Sequence, residues 1–98
     1  MNTLKTTEIN INNTIVSGYE IELQNAKLII AVAPKGYVMC GYLDMQASDR
    51  FSDFAVIVKG VKSIDELLSK EVSEVSKQAS SIGIKAGMTG REALSRLV

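Results

Sequence analysis

The residue most able to do chemistry is Cys40, the one cysteine of this 98-residue chain, which stands in the stretch KGYVMCGYLDM. A cysteine thiolate is a nucleophile and a redox group, and the positive end of a helix favours its formation. A helix is predicted to begin near Asp44, although the Asp44 carboxylate opposes a thiolate nearby. The position therefore supports a catalytic Cys40, in an enzyme or a redox sensor. The alternative is a buried cysteine that packs as a small hydrophobic residue.

The two residues that follow Cys40 are candidates for binding a small-molecule ligand of unknown identity. Gly41 has no side chain, so it leaves room for either a ligand or a neighbouring backbone. Tyr42 is the second candidate. Its alternative use is packing, with the phenol hydroxyl reaching a partner at the edge of a strand.

A second group of candidates lies near the C-terminus, where glycines lead into a predicted helix. Thr89, Gly90 and Arg91 stand at the start of this helix, and backbone N–H groups at such a start can bind an anion. No strand directly precedes the segment and no GK[ST] sequence closes it, so it is not a P-loop. Glu92 competes for the same N–H groups. The segment is therefore either an anion site or an ordinary helix start.

Composition excludes several other chemistries. The chain has no histidine, which removes Ser-His-Asp and Cys-His nucleophile pairs and histidine metal sites. One cysteine cannot supply a structural zinc site, and the aspartates match no calcium-binding loop. We therefore predict no metal site and no cofactor.

Charge and hydropathy exclude two classes of partner. Eleven basic and eleven acidic residues cancel, so the electrostatic footprint of a nucleic-acid binder is missing. The longest apolar stretch, residues 28–33, is far shorter than the roughly 20 residues of a membrane helix. A single cysteine forms no internal disulfide, and the polar start lacks the blocks of a secretory signal. We expect a cytoplasmic protein with neither nucleic-acid nor membrane partners.

Two alternating segments predict an antiparallel hairpin at the N-terminus. Ile9 and Ile11 alternate with polar residues before an Asn-Asn pair that is typical of a turn. After it, Tyr19, Ile21 and Leu23 alternate with glutamates and a glutamine. A period of two with polar partners is typical of strands that are wet on one face, and the glutamates mark that face here.

Further strands and a crossover follow the hairpin. Residues 28–33 are apolar on both faces, which predicts a central strand. A Pro-Lys-Gly turn then returns the chain through residues 37–42 as the hairpin partner of that strand. Residues 44–53 have about the minimum length of a helical crossover to another apolar strand at 54–58.

The remaining segments are predicted to be helical. A capping box begins at Ser63, and apolar residues near a 3.6 period predict an amphipathic helix over residues 64–82 that can break near Ser69 and ends at Gly83. A second capping box, TGRE, opens a final short helix. The predicted fold class is α+β, with a mixed β-sheet, an N-terminal β-hairpin, a short crossover helix and C-terminal helices.

Three blocks of the sequence, KGYVMCGYLDM, AVIVKGVKSIDELLSKEV and GIKAGMTGREAL, resemble the YunC-like family of small bacterial and archaeal domains of unknown function. The blocks occur in order over essentially the whole chain. The family pattern covers Gly36, Met39, Cys40, Gly41, Tyr42, Leu43, Gly83, Gly87, Gly90, Arg91, Glu92, Ala93 and Leu94. The resemblance implies an α+β domain whose β-rich N-terminal part forms an oligomer, with a tetramer expected. It implies no reaction, cofactor or catalytic residue.

One domain is predicted over residues 1–98, with residues 1–26 a β-rich oligomerisation region and residues 27–98 an α/β core. A hairpin over residues 7–24 is marginally stable alone, and its apolar residues and its edge need a partner. The expected partner is a second copy of the chain, in a dimer or a tetramer. The predicted function is that of a small homo-oligomeric binding or structural module.

Overall fold

The computed structural model describes residues 4–42 and 44–98. Within these residues it holds one mixed sheet of six strands, in the order β1-β2-β3-β4-β5-β6, and four short helices. The elements are β1 Leu4–Ile11, β2 Thr14–Glu22, β3 Lys27–Val32, β4 Tyr37–Met39, α1 Met45–Arg50, β5 Ala55–Ile57, α2 Ile64–Ser69, β6 Glu74–Val75, α3 Lys77–Ser81 and α4 Gly90–Ser95. This architecture confirms the predicted α+β class. No helix in the described part of the chain is long and apolar enough to cross a membrane.

The N-terminal hairpin turns at Asn12 and Asn13, whose φ angles are 51° and 66°. Two successive positive φ angles are the geometry of a type I′ turn, which asparagine tolerates and which matches the twist of the two strands. Ile11 pairs with Thr14 directly across this turn. The predicted hairpin is therefore confirmed.

The buried face of β2 carries Val16, Gly18 and Glu20, and α2 packs on it. A Cβ built on Gly18 would lie 2.9 Å from Cδ1 of Ile64. Glu20 Oε2 accepts a hydrogen bond from the backbone N–H of Ile64 at 2.9 Å. The prediction that the glutamates mark the wet face of this strand is thus wrong at Glu20, because its carboxylate is needed as an acceptor at the start of α2.

The opposite face of β1, β2 and β3 is named the outer face. Cross-strand register places seven apolar residues on it, namely Leu4, Ile15, Tyr19, Ile21, Leu28, Ile30 and Val32. Tyr19 lies directly opposite Ile30, and Val32 lies opposite Ser17. Because side chains alternate along a strand, these residues point away from α2.

The predicted central strand and the predicted crossover are both present in the middle of the sheet. β3 lies between β2 and β4, and β4 runs parallel to β5. The turn before β4 is closed by a hydrogen bond from the N–H of Ala33 to the carbonyl of Gly36, at 2.8 Å. The crossover helix α1 is capped by Asp44, whose carboxylate accepts the N–H of Gln46 at 3.0 Å. β4 is shorter than predicted and ends at Met39.

The helix predicted over residues 64–82 is instead two short helices separated by a strand. α2 ends at Ser69, the predicted break, and β6 then pairs with β5. The buried Val72 donates its N–H to the carbonyl of Met88 at 2.6 Å. The backbone N–H groups here donate hydrogen bonds to distant segments and not to the preceding helical turn, so a single helix does not form. The end at Gly83 is confirmed, where φ is 91° after α3.

α4 begins at the predicted capping box. The Thr89 hydroxyl accepts the N–H of Glu92, and the Glu92 carboxylate accepts the N–H of Thr89, both at 3.1 Å. α2 and α4 pack against each other and against the sheet. The largest fully buried residues of the resulting core include Ile29, Val38, Leu67, Ile84, Leu94 and Leu97.

Candidate functional site

A pocket of about 580 Å³ lies at the end of the sheet where β2 turns into β3 and where β4 and β5 both end. We name it the Cys40 pocket. It is lined by Asn25, Ala26, Lys27, Cys40, Gly41, Tyr42, Gly60, Val61 and Lys62. Its surface is mostly apolar, and its volume is in the range of small-molecule sites. Three of the residues predicted from the sequence, Cys40, Gly41 and Tyr42, thus come together here.

Cys40 forms part of the inner wall of this pocket and is only 4% exposed. Its N–H donates to the carbonyl of Ile29 at 2.9 Å, and its Sγ accepts the N–H of Ile29 at 3.3 Å. Sulfur here takes the place that a carbonyl oxygen holds in a regular ladder, which accounts for the end of β4 at Met39. The thiol belongs to the hydrophobic core cluster, an environment that fits the alternative of a packed cysteine.

Gly41 and Tyr42 form an exposed turn beyond β4, and the Tyr42 side chain is 54% exposed. A Cβ built on Gly41 would meet only Cγ of Lys59, at an ordinary contact distance of 3.7 Å. Packing within the described chain therefore does not require glycine at this position. Gly41 itself is part of the pocket lining.

Two lysines on the pocket rim were not identified from the sequence. Lys27 Nζ lies 3.8 Å from Oε1 of Glu20. The backbone N–H of Lys62 donates to Oε1 of Glu66 at 2.7 Å, so Glu66 reaches Lys62 rather than Ser63. The capping box was the only local signal near Lys62, and the pocket forms from segments that are distant in sequence. Among residues 4–42 and 44–98, no cluster of histidine, cysteine, aspartate or glutamate could hold a metal ion.

Thr89, Gly90 and Arg91 do not line this pocket. The N–H groups of Thr89 and Glu92 bond to each other's side chains, and the N–H of Gly90 donates to the carbonyl of Lys70 at 3.1 Å. Gly90 is buried against the last turn of α2, where a Cβ would overlap backbone. These contacts are those of a helix start that is packed on a neighbouring helix.

A partly buried hydrogen-bond network joins α1 to β4. The Tyr37 hydroxyl donates to Oδ2 of Asp53 at 2.7 Å and lies 3.0 Å from Oγ of Ser48, which is 2% exposed. Burial raises the pKa of Tyr37, the hydrogen bond with Ser48 lowers it, and the hydrogen bond and charge of Asp53 raise it, with a net rise. The phenol is therefore held neutral, which suits a structural donor better than a base.

The chain is similar to known proteins over most of its length. The family model described as "Domain of unknown function (DUF1805)" matches residues 39–97. The "Uncharacterized protein YunC" of Bacillus subtilis is 30% identical over 96 residues, which cover 94% of this chain and 95% of that protein. A protein of unknown function from Thermoplasma acidophilum, TA1206, has a crystal structure that matches with a TM-score of 0.93 at 37% identity, over 97% of this chain and 93% of that one. These descriptions name no reaction, ligand or partner.

Proposed function

Since the chain belongs to the DUF1805 family, whose description names no function, we propose from its geometry that it is a homo-oligomeric binding module. Copies of the chain associate through the outer face, and the Cys40 pocket takes a small molecule. Membership confirms the resemblance to the YunC-like family. The resemblance also implied an oligomer, for which the outer face supplies a structural basis.

The observation that carries this proposal is the apolar outer face. Ile15 is 55% exposed and Val32 is 42% exposed. Tyr19 and Ile30, which form the next pair along β2 and β3, are also partly exposed. On the other face of the same strands, α2 covers the core. On the outer side, α1 lies at β4, where the Ser48 hydroxyl forms a hydrogen bond with the Tyr37 hydroxyl. The same face of β1 carries the polar residues Thr6, Glu8 and Asn10, so the apolar patch lies mainly on β2 and β3. An exposed apolar patch with a polar border is typical of an interaction surface.

A second copy of the chain is the occupant that fits this face. The three strands are antiparallel neighbours, so a two-fold axis across them brings identical apolar rows together. β1 lies at the edge of the sheet, and its sequence LKTTEINI has no proline to discourage pairing with another chain. Each apolar side chain that becomes buried contributes about 1.5–3 kcal/mol. Several such residues offset the association cost and hold a dimer, or a tetramer through a second interface.

Light scattering coupled to size exclusion tests the assembly. The unmodified protein is expected to show a mass that is a multiple of the single chain at micromolar concentration. The double variant Ile15→Glu, Val32→Glu changes two exposed residues of the outer face and is expected to reduce that mass while the circular dichroism spectrum is retained. Ile82→Glu, which changes a 38% exposed apolar residue outside the sheet, is the matched control. A monomeric mass for the unmodified protein would contradict the proposal.

Two other interpretations of the sequence have less structural support. A cysteine-dependent reaction would have to use a thiol that is buried and bonded to the backbone of Ile29. An anion at the start of α4 would compete with the Glu92 carboxylate for the N–H of Thr89, and with the backbone carbonyl of Lys70 for the N–H of Gly90. The expected cytoplasmic location is part of our proposal, and it is supported by a cysteine that is held as a free thiol.

A further inference from the structure

The Cys40 pocket lies where the sheet changes the direction of its connections. β4 and β5 are adjacent and parallel, and each is followed by a helix. α1 follows β4 on the outer side, because the Tyr37 hydroxyl meets Ser48 there. α2 follows β5 on the core side, where Ile64 packs against Gly18.

Two connections that leave parallel strands toward opposite faces open a crevice at the carboxyl ends of those strands, which is the usual ligand position in such sheets. The pocket occupies this place. One wall is the segment after β4, residues 40–42, and another is the segment after β5, residues 60–62.

The charge of the pocket has one sign. Its lining holds Lys27 and Lys62 and no carboxylate. Lys27 is partly neutralised by Glu20, at 3.8 Å. The ammonium of Lys62 is in no ion pair with any residue of the described segments 4–42 and 44–98. Lys62 is therefore available to bind an anionic group.

Backbone donors add to this charge. The N–H groups of Gly41, Tyr42, Gly60 and Val61 have no hydrogen-bond acceptor among the residues that the structure describes. All four residues line the pocket. An ammonium beside amide N–H groups is a donor set suited to a carboxylate, which accepts several charge-assisted hydrogen bonds.

The rest of the pocket is apolar. Of the residues that line it, Cys40 and Val61 are buried, and Tyr42 is exposed. A volume of about 580 Å³ holds a ring or a short aliphatic chain in addition to an acid group. We infer that the Cys40 pocket binds a small organic monocarboxylate, with its carboxylate at Lys62 and its apolar part against Cys40, Val61 and Tyr42. In naming this ligand class we rest on the proposed binding role of the pocket and not on the assembly of chains.

Titration of the ¹⁵N-labelled full-length protein with benzoate is the test. Benzoate is expected to bind with a millimolar dissociation constant and to shift the amide signals of Gly41, Gly60 and Lys62. Benzyl alcohol and benzylamine have the same ring without the negative charge and are expected to bind at least about tenfold more weakly. Lys62→Gln should weaken benzoate binding about fivefold. Lys85→Gln, which removes a lysine outside the pocket, should leave it unchanged.

A second variant changes the shape of the pocket lining without changing its charge. A Cβ at Gly41 makes only an ordinary contact with Lys59, so Gly41→Val is expected to stay folded. Because Gly41 lines the pocket, the added side chain is expected to weaken benzoate binding at least about fivefold. The inference is overturned if benzoate leaves the pocket amides unshifted at tens of millimolar, if benzyl alcohol binds equally well, or if binding is not weakened in either pocket variant. Light scattering on the same samples reports assembly separately, so a monomeric protein that binds benzoate would contradict only the proposed assembly.

Discussion

The Sγ of Cys40 accepts the backbone N–H of Ile29 at 3.3 Å, while the N–H of Cys40 donates to the carbonyl of Ile29 at 2.9 Å. Two hydrogen bonds to one residue of the central strand fix the thiol at the inner wall of the pocket, where it is 4% exposed. The side chain thus completes the ladder between β3 and the residue that follows β4.

This arrangement predicts a slowly reacting thiol. Native protein treated with a disulfide reagent should be labelled at least about tenfold more slowly than protein in denaturant, because labelling requires local opening of the sheet. Cys40→Ala should lower the free energy of unfolding by about 1–3 kcal/mol, since it leaves the Ile29 N–H without its acceptor and removes buried volume. Urea unfolding measures the second effect. Fast labelling of the native protein would instead support the catalytic interpretation of Cys40.

A second prediction concerns Gly18, where β2 approaches α2. A Cβ would lie 2.9 Å from Cδ1 of Ile64 and 3.1 Å from Cδ1 of Ile9. Alanine would gain about 0.5–1 kcal/mol from a stiffer backbone but lose about 1–3 kcal/mol to overpacking. Gly18→Ala should therefore destabilise the protein by about 1 kcal/mol in urea unfolding.

The matched background for this change is Ile64→Val, which removes the Cδ1 atom that the added methyl group would meet. The cost of Gly18→Ala should be smaller in that background than in the unmodified protein, as a double-mutant cycle can measure. Equal costs in the two backgrounds would show that contact with Cδ1 of Ile64 is not the cause.

A third prediction concerns the pH dependence of stability at Tyr37. Burial raises the pKa of this phenol in the folded state, and Asp53 adds to the rise. The folded state therefore prefers the protonated phenol, so its contribution to stability is complete below the unfolded pKa, about 10, and is lost as pH rises through the folded pKa. Urea unfolding at increasing pH follows this loss.

Tyr37→Phe removes the titrating group and its hydrogen bonds to Asp53 and Ser48, so it should cost about 1–2 kcal/mol near neutral pH. The difference between the two proteins should shrink above about pH 10, where only the unmodified protein loses the contribution of its phenol. A difference that is constant up to the alkaline limit of folding would argue against a raised pKa.

The features that were predicted correctly depend on residues close in sequence. The Asn12-Asn13 pair fixes the hairpin turn through two positive φ angles, and the box formed by Thr89 and Glu92 closes within a single helical turn. Such signals are complete before any long-range contact forms. The strands before and after the crossover helix were likewise predicted from short apolar runs, at residues 28–33 and 54–58.

The features that were missed depend on contacts between distant segments. Glu20 is buried because its carboxylate accepts the backbone N–H of Ile64. No residue near Glu20 in the sequence indicates this partner. The apolar period beyond Ser69 fits a helix, yet Val72 bonds to Met88 instead. Of the residues that line the pocket, the sequence predicted only Cys40, Gly41 and Tyr42. Lys62 comes close to them because β4 and β5 pair in parallel, which is a contact between distant segments.

The most direct test of the proposed assembly is an isotope-filtered NOE experiment on a mixture of ¹³C-methyl-labelled and unlabelled chains. It detects only contacts between different chains. We predict NOEs from the methyl groups of Ile15, Ile30 and Val32 to protons of the unlabelled partner, and none from the methyls of Leu94, which is fully buried in the core. Interchain NOEs confined to residues outside β1, β2 and β3, or none at a concentration where light scattering shows association, would contradict association through the outer face.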